Sequence, residues 1–241
     1  MSRDSEKQTQ ETTSSRRWWE IGSEQDRVYW DGKYAAAIAF MESRQSISSI
    51  LIEVAAQHPL IDGKYPNEEF SKRLLLAVKL YTQEIEAGNT VEIYVPGSVH
   101  MFEGKLDTLS LSKAGGDFLI QQGVPPHVIR GDDLNKKYKG EEGVYNSADE
   151  CFVAAGHFKD GQFGHLYSVL SPVQLLRKTL HYLEFGVLPL NHTAPSLKMF
   201  HNYIGEIFEA IPYVLFADHS LQGADSIRSK ELRRSRKPKT T

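Results

Sequence analysis

The chain has 241 residues, of which 40% are hydrophobic, 10% aromatic and 24% charged; 28 basic against 31 acidic residues give a formal charge of -3. This is the composition of an ordinary globular protein, long enough for a core that needs neither disulfides nor a structural metal. The single cysteine, Cys151, excludes an internal disulfide framework, and no apolar run reaches the roughly 20 residues that span a bilayer.

Charge is unevenly placed. From Arg228 to Thr241 there are seven basic residues and one acid, Glu231, which leaves 21 basic and 30 acidic residues over positions 1–227 and a body charge of -9. The basic end reads as a solvated tail, and the acidic body argues against nucleic acid as a partner. The expected organisation is a disordered segment over 1–17, one domain over 18–222 and a disordered basic tail over 223–241. The first residues lack a secretory apolar segment, so a cytoplasmic location is expected.

In chain order, Trp18 to Trp30 is irregular, and the alanine-rich stretch after Asp31 predicts a helix. Ile50–Val54 is a short β-branched run of the kind that forms a strand buried on both faces. His58-Pro59 and Asp62-Gly63 open a loop. Asn67 is placed to cap a helix in which Phe70, Leu74, Leu75, Val78, Leu80 and Tyr81 recur at helical spacing, with Gly88 as its stop. A second strand runs over 90–98 into Pro96-Gly97-Ser98. A helix ending at Gly123 follows, then a short strand over 127–131 that leads into a loop carrying Asp132 and Asp133. Ser147 and Glu150 form the pattern of a capping box at the start of the next helix. A strand over 165–171, a helix opening at Pro172 and stopping at Gly186, and a last strand over 187–191 complete the alternation. Beyond it, Phe200, Tyr203, Ile204, Ile207, Phe208, Ile211 and Leu215 mark an amphipathic helix suited to self-association into a homo-oligomer.

Strand and helix alternate from 46 to 190, which predicts an α/β fold: a Rossmann-like, doubly wound, mainly parallel sheet with helices on both faces. In such sheets a ligand lies beyond the carboxyl ends of the strands. The polar residues expected there are His58 after the first strand, Gly97, Ser98 and His100 after the second, and Asp132 and Asp133 after the third. Asn146, Ser147 and Glu150 head the following helix, and Ser171, Gln174 and Arg177 follow the fourth strand. Gly97, Ser98 and Ser171 offer backbone and hydroxyl donors, and Arg177 offers a two-pronged cation. The aspartates are acceptors for ribose-like hydroxyls. His58 and His100 are the candidate acid–base groups, with Asp132 a third catalytic candidate.

Sharper motifs are absent. No G-x-G-x-x-G or G-x-x-x-x-G-K-[ST] loop and no G-x-S-x-G elbow occurs. Nine histidines invite a metal reading, but none has H-E-x-x-H spacing, and no metal is expected. Cys151 reads as a buried small hydrophobe.

The order of features resembles the YdcF/SanA-like family, known as domain of unknown function 218. The resemblance rests on ILIEVAAQHPLIDG, on FSKRLLLAVKLY with Arg73, on EIYVPGS, on SKAGGDFLIQQGVPPHVI, on GDD with NSADE, and on SPVQLLR, in order over about residues 47–190. Two positions depart from the pattern: Gln174 stands where the family has His, and Ser147 where Thr is usual. KKYKGEEGVY is an insertion. The resemblance implies a Rossmann-like fold, with binding of S-adenosylmethionine or nucleotides in one branch and envelope functions in another. The family's anchored members carry an N-terminal membrane segment, so this chain resembles the soluble branch. The function expected is binding of a nucleotide-type or other anionic small molecule at the strand ends, by a transferase or hydrolase of a small polar metabolite. The other expectation is a non-catalytic ligand-sensing or partner-binding module.

Overall fold

The alternation of short apolar runs with amphipathic ones folds as a layered sheet. The computed structural model describes residues 24–102, 105–140 and 143–194. The expected tails over 1–17 and 223–241 and the amphipathic segment over 200–215 lie outside the described residues.

The elements in chain order are α1 (Glu24–Glu42), β1 (Ser49–Val54), α2 (Glu68–Glu86), β2 (Thr90–Tyr94), β3 (Met101–Phe102), β4 (Lys105–Leu106), α3 (Leu111–Gln121), β5 (Ile129–Arg130), α4 (Asp132–Lys139), α5 (Ser147–Asp160), β6 (His165–Leu170), α6 (Leu175–Glu184) and β7 (Leu190–Thr193). Five strands form an all-parallel sheet in the order β5-β2-β1-β6-β7. The chain winds outward from β1 through β2 to β5, returns to β6 beside β1, and winds outward again. The winding therefore reverses direction between β1 and β6, the kind of switch point beside which open parallel sheets take their ligands.

The apolar run of β1 is continuous because both of its faces are covered. Ile50, Ile52 and Val54 pack with Phe70 and Leu74 of α2 and Leu119 of α3. Leu51 points the other way, among Val153, Ala154 and Phe158 of α5 and Tyr182 of α6. Asn67 caps α2 as expected, its Oδ1 accepting the Phe70 N–H at 2.9 Å. Beyond α1, the Arg44 guanidinium donates to the carbonyls of Phe158, Lys159, Gly161 and Phe163, tying the end of α1 to the end of α5.

Several expectations are corrected. The helix expected after Asp31 begins at Glu24, so 24–30 are helical rather than irregular; its apolar residues are spread around the axis and give no stripe to read. A short antiparallel hairpin, β3–β4, lies outside the expected alternation. Asp132 and Asp133 lie not in a loop but in the first turn of α4, whose last turn carries Lys136, Lys137 and Lys139, the charge order that suits the helix dipole. The N-cap of α5 is Asn146, not Ser147: its Oδ1 accepts the Asp149 N–H at 2.8 Å, while Asp149 Oδ2 accepts the Tyr145 N–H at 3.2 Å. The cap thus sits one residue earlier, and Glu150 is released for another role. Pro172–Gln174 form a 3-10 turn before α6, and the last strand starts three residues later than expected and ends two later, at Leu190–Thr193.

Candidate functional site at the strand carboxyl ends

Arg73 prepares the tip of β1. It is 1% exposed on α2, and its guanidinium donates to the carbonyls of Ala55 at 2.9 Å and Ala56 at 3.3 Å and to Gln57 Oε1 at 3.0 Å. A planar, always-charged donor fork is the side chain that can satisfy several acceptors of one turning segment. The loop that follows therefore leaves the sheet on a fixed course toward His58.

The tip of β2 approaches α3 so closely that a side chain is excluded. Gly97 has φ +105°, and a Cβ there would stand 2.8 Å from Leu111 Cβ. Its carbonyl accepts the Ser112 N–H at 2.9 Å. Ser98 joins this tip to the segment entering α5: its N–H donates to the Val144 carbonyl, and its Oγ accepts the Val144 N–H, both at 2.9 Å. These two contacts bring Tyr145 beside His100, at 5.6 Å between ring centroids.

His58 and His100 come together. Their rings stack with centroids 4.8 Å apart and an interplanar angle of 16°, and His100 is 4% exposed. The two histidines proposed separately from sequence thus form one unit across the tips of β1 and β2.

The remaining expected residues divide. Ser171 and Gln174 sit at the tip of β6, where Gln174 Oε1 accepts from the Ser171 N–H at 3.3 Å and from its hydroxyl at 3.2 Å. Arg177 is buried in the first turn of α6. Asp132 accepts the Ser110 hydroxyl at 2.8 Å, linking the starts of α3 and α4, and Asp133 accepts the Gly131 N–H at 2.8 Å as a local cap. Asn146 is spent on its cap, and Ser147 is buried in the first turn of α5.

Glu150 does not join the rim. Its carboxylate accepts from Lys178 at 2.8 Å within a buried cluster that the sequence reading missed. Lys178 also donates to Glu53, and the Ser168 hydroxyl donates to Glu53 at 2.7 Å; Glu53, Ser168 and Lys178 are all 0% exposed. Burial alone would lower the Lys178 ammonium, but the Glu150 and Glu53 carboxylates reverse this and hold it charged. Burial pushes the Glu150 carboxyl up, and the Lys178 ammonium beside it opposes that shift. The signal available in sequence was Glu53 itself, an acid inside an otherwise apolar central strand. Cys151, also fully buried, has its thiol pushed well up by burial, which makes it inert.

At the opposite, amino end of the sheet a cleft of about 260 Å³ is bordered by Ser49, Thr90, Glu92, His127, Arg130 and Phe163. Glu92 accepts from Arg130 through both oxygens at 3.1 and 3.2 Å and lies 2.9 Å from His157 Nε2. The His157 hydrogen bond, with Arg130, holds its carboxyl down at about 2. Its charge is already satisfied within the chain.

Comparison with protein-family models, curated proteins and solved structures found no match. The geometry therefore stands alone. Among the described residues, no group of three or more His, Cys, Asp or Glu is placed to hold a metal ion, and no helix is long and apolar enough to cross a membrane.

Proposed function

We propose that the carboxyl ends of β1, β2 and β6 bind a small anionic molecule of nucleotide type, with S-adenosylmethionine also a candidate. On this reading the protein is a transferase or hydrolase of a small polar metabolite, and His58 or His100 is the acid–base group. The observation that carries it is the stacked His58–His100 pair, 4.8 Å between centroids, at the carboxyl end of a parallel sheet whose winding switches direction between β1 and β6, the end where such sheets take their ligands. Imidazole changes protonation near neutral pH, and two rings side by side offer one ligand both a donor and an acceptor nitrogen. Ser171 at the β6 tip and Arg177 one turn into α6 are the proposed anchors for the anionic part. The order of strand-end segments that resembles the YdcF/SanA-like family supports the same assignment, and a cytoplasmic location belongs to this proposal.

One observation favours a second reading, a binding module without turnover. Gln174, which replaces the family's His, is folded back on Ser171 and cannot serve as a base.

Thermal unfolding with adenosine diphosphate, S-adenosylmethionine or pyrophosphate tests the site. A ligand present at about 100 times its Kd adds roughly 2.7 kcal/mol, a rise of several degrees. Arg177→Ala and His100→Ala should each diminish that rise. No rise with any of the three overturns the reading, and binding without turnover of phosphate esters or methyl acceptors favours the module.

A further inference from the structure

Asp132 and Asp133, expected to meet ligand hydroxyls, are both engaged at helix ends, yet the same rim holds another carboxyl. Asp107 is 8% exposed, and its Oδ2 is buried without a hydrogen-bond partner among the described residues. Burial pushes its carboxyl up. A buried acceptor with no donor is costly, and native structures leave few of them.

Its position follows from the hairpin. Met101 pairs with Leu106 and Phe102 with Lys105, antiparallel. The register continues one step outward, where the Asp107 N–H donates to the His100 carbonyl at 2.8 Å. Directly opposed residues of an antiparallel pair send their side chains to one face, with Cα atoms about 5.5 Å apart. Asp107 therefore shares a face with His100, whose ring stacks on His58. The N–H groups of Thr108 and Leu109 donate to the Gly63 carbonyl at 2.9 and 3.0 Å, pinning this segment to the loop that follows β1. Ser110, three residues beyond Asp107, caps α3 and binds Asp132. One carboxyl and two imidazoles thus gather at the tips of β1 and β2, and among the described residues none donates to the Asp107 Oδ2.

Resting on the reading that this rim binds a nucleotide-type anion, we propose that Asp107 accepts a hydrogen bond from a hydroxyl of the bound molecule. The site then selects anions that carry sugar-like hydroxyls over anions that lack them. The hydroxyls belong either to a nucleotide's ribose or to a simple sugar phosphate, and both present the same group to Asp107. Asp107 is a specificity-determining residue in this arrangement, and the histidines remain the acid–base groups.

Calorimetric titration of the full chain with adenosine diphosphate, its 2′,3′-dideoxy analogue, ribose 5-phosphate and pyrophosphate decides the point. The wild-type protein should bind adenosine diphosphate about tenfold or more tightly than the dideoxy analogue. Asp107→Ala and Asp107→Asn should erase that preference and leave affinity for the dideoxy analogue and pyrophosphate unchanged. Ribose 5-phosphate binding as tightly as the nucleotide identifies a sugar phosphate as the source of the hydroxyl; much weaker binding identifies a nucleotide. Equal wild-type affinity for adenosine diphosphate and its dideoxy analogue overturns the Asp107 assignment and leaves the anion site standing. Failure of the wild-type protein to bind any of the four removes the site itself. The wild-type comparison holds even if the variants do not fold.

Discussion

Lys178 and Glu150, 28 residues apart, meet in a hydrogen-bonded ion pair of 2.8 Å sealed from solvent between the sheet and helices α5 and α6. Lys178 is shared with Glu53 of the central strand, so one cation joins three elements just below the strand tips. Removing the cation alone leaves two acids buried without compensation. Lys178→Met is expected to cost about 3 to 5 kcal/mol in urea unfolding, whereas Glu150→Gln keeps an acceptor for Lys178 and costs about 1 kcal/mol or less. Equal losses in the two variants would show that charge balance is not what holds the cluster.

The same cluster has a pH signature. The Glu150 carboxyl is raised in the folded protein, so its contribution is fully present below the ordinary carboxylate range and is lost as pH rises through the folded value. The stability of the wild-type protein minus that of Glu150→Gln should fall with rising pH. A difference that grows with pH contradicts the assignment.

Glu92 titrates in the opposite sense. Held down from 4.5 to about 2 by His157 and Arg130, it contributes stability that is present above pH 4.5 and lost as pH falls toward 2. It is partly exposed, so screening reduces this to about 1 to 2 kcal/mol. Glu92→Gln should flatten the acid limb of the stability curve over that interval, measured by denaturant midpoints across pH.

Arg73 links packing to the site. Its donors fix Ala55, Ala56 and Gln57, and a lysine cannot reproduce the fork. Arg73→Lys is expected to lose about 2 to 3 kcal/mol. In binding titrations it should also weaken the anion site beyond β1 while leaving the far cleft at Glu92 and Arg130 unchanged in its pH response.

Gly97 tests the close approach of β2 to α3. Its φ of +105° disfavours any side chain, and a Cβ would meet Leu111 at 2.8 Å. Gly97→Ala should destabilise by about 2 to 4 kcal/mol, while Gly88→Ala, with φ +85° and open space around it, should cost about 1 to 2 kcal/mol. Similar costs at both sites would remove the steric argument.

Much of the architecture was legible because its signals are local. The β-branched run at 50–54, the Asn67 cap and the Gly88 stop each act within a few residues, and the structure bears them out. The α5 cap was displaced by one position because Asn146 and Ser147 are both competent caps, and only packing chooses between them. Turning the helix start to Asn146 frees Glu150 to face Lys178, a preference no local rule contains. Asp132 and Asp133 follow Gly131 and look like loop residues locally, although the lysines that come after them complete a helical charge order.

From the sequence by itself come the alternation of strand and helix, the parallel sheet it demands and the end of that sheet where polar residues collect; periodicity, caps and glycine stops report on neighbours along the chain. The tertiary structure alone decided that His58 lies on His100, that Asp107 shares their face and that Glu53 is answered by Lys178. Those relationships join positions 42 to 125 residues apart or turn on a hairpin register, and they exist only once the winding of the sheet has brought distant tips together.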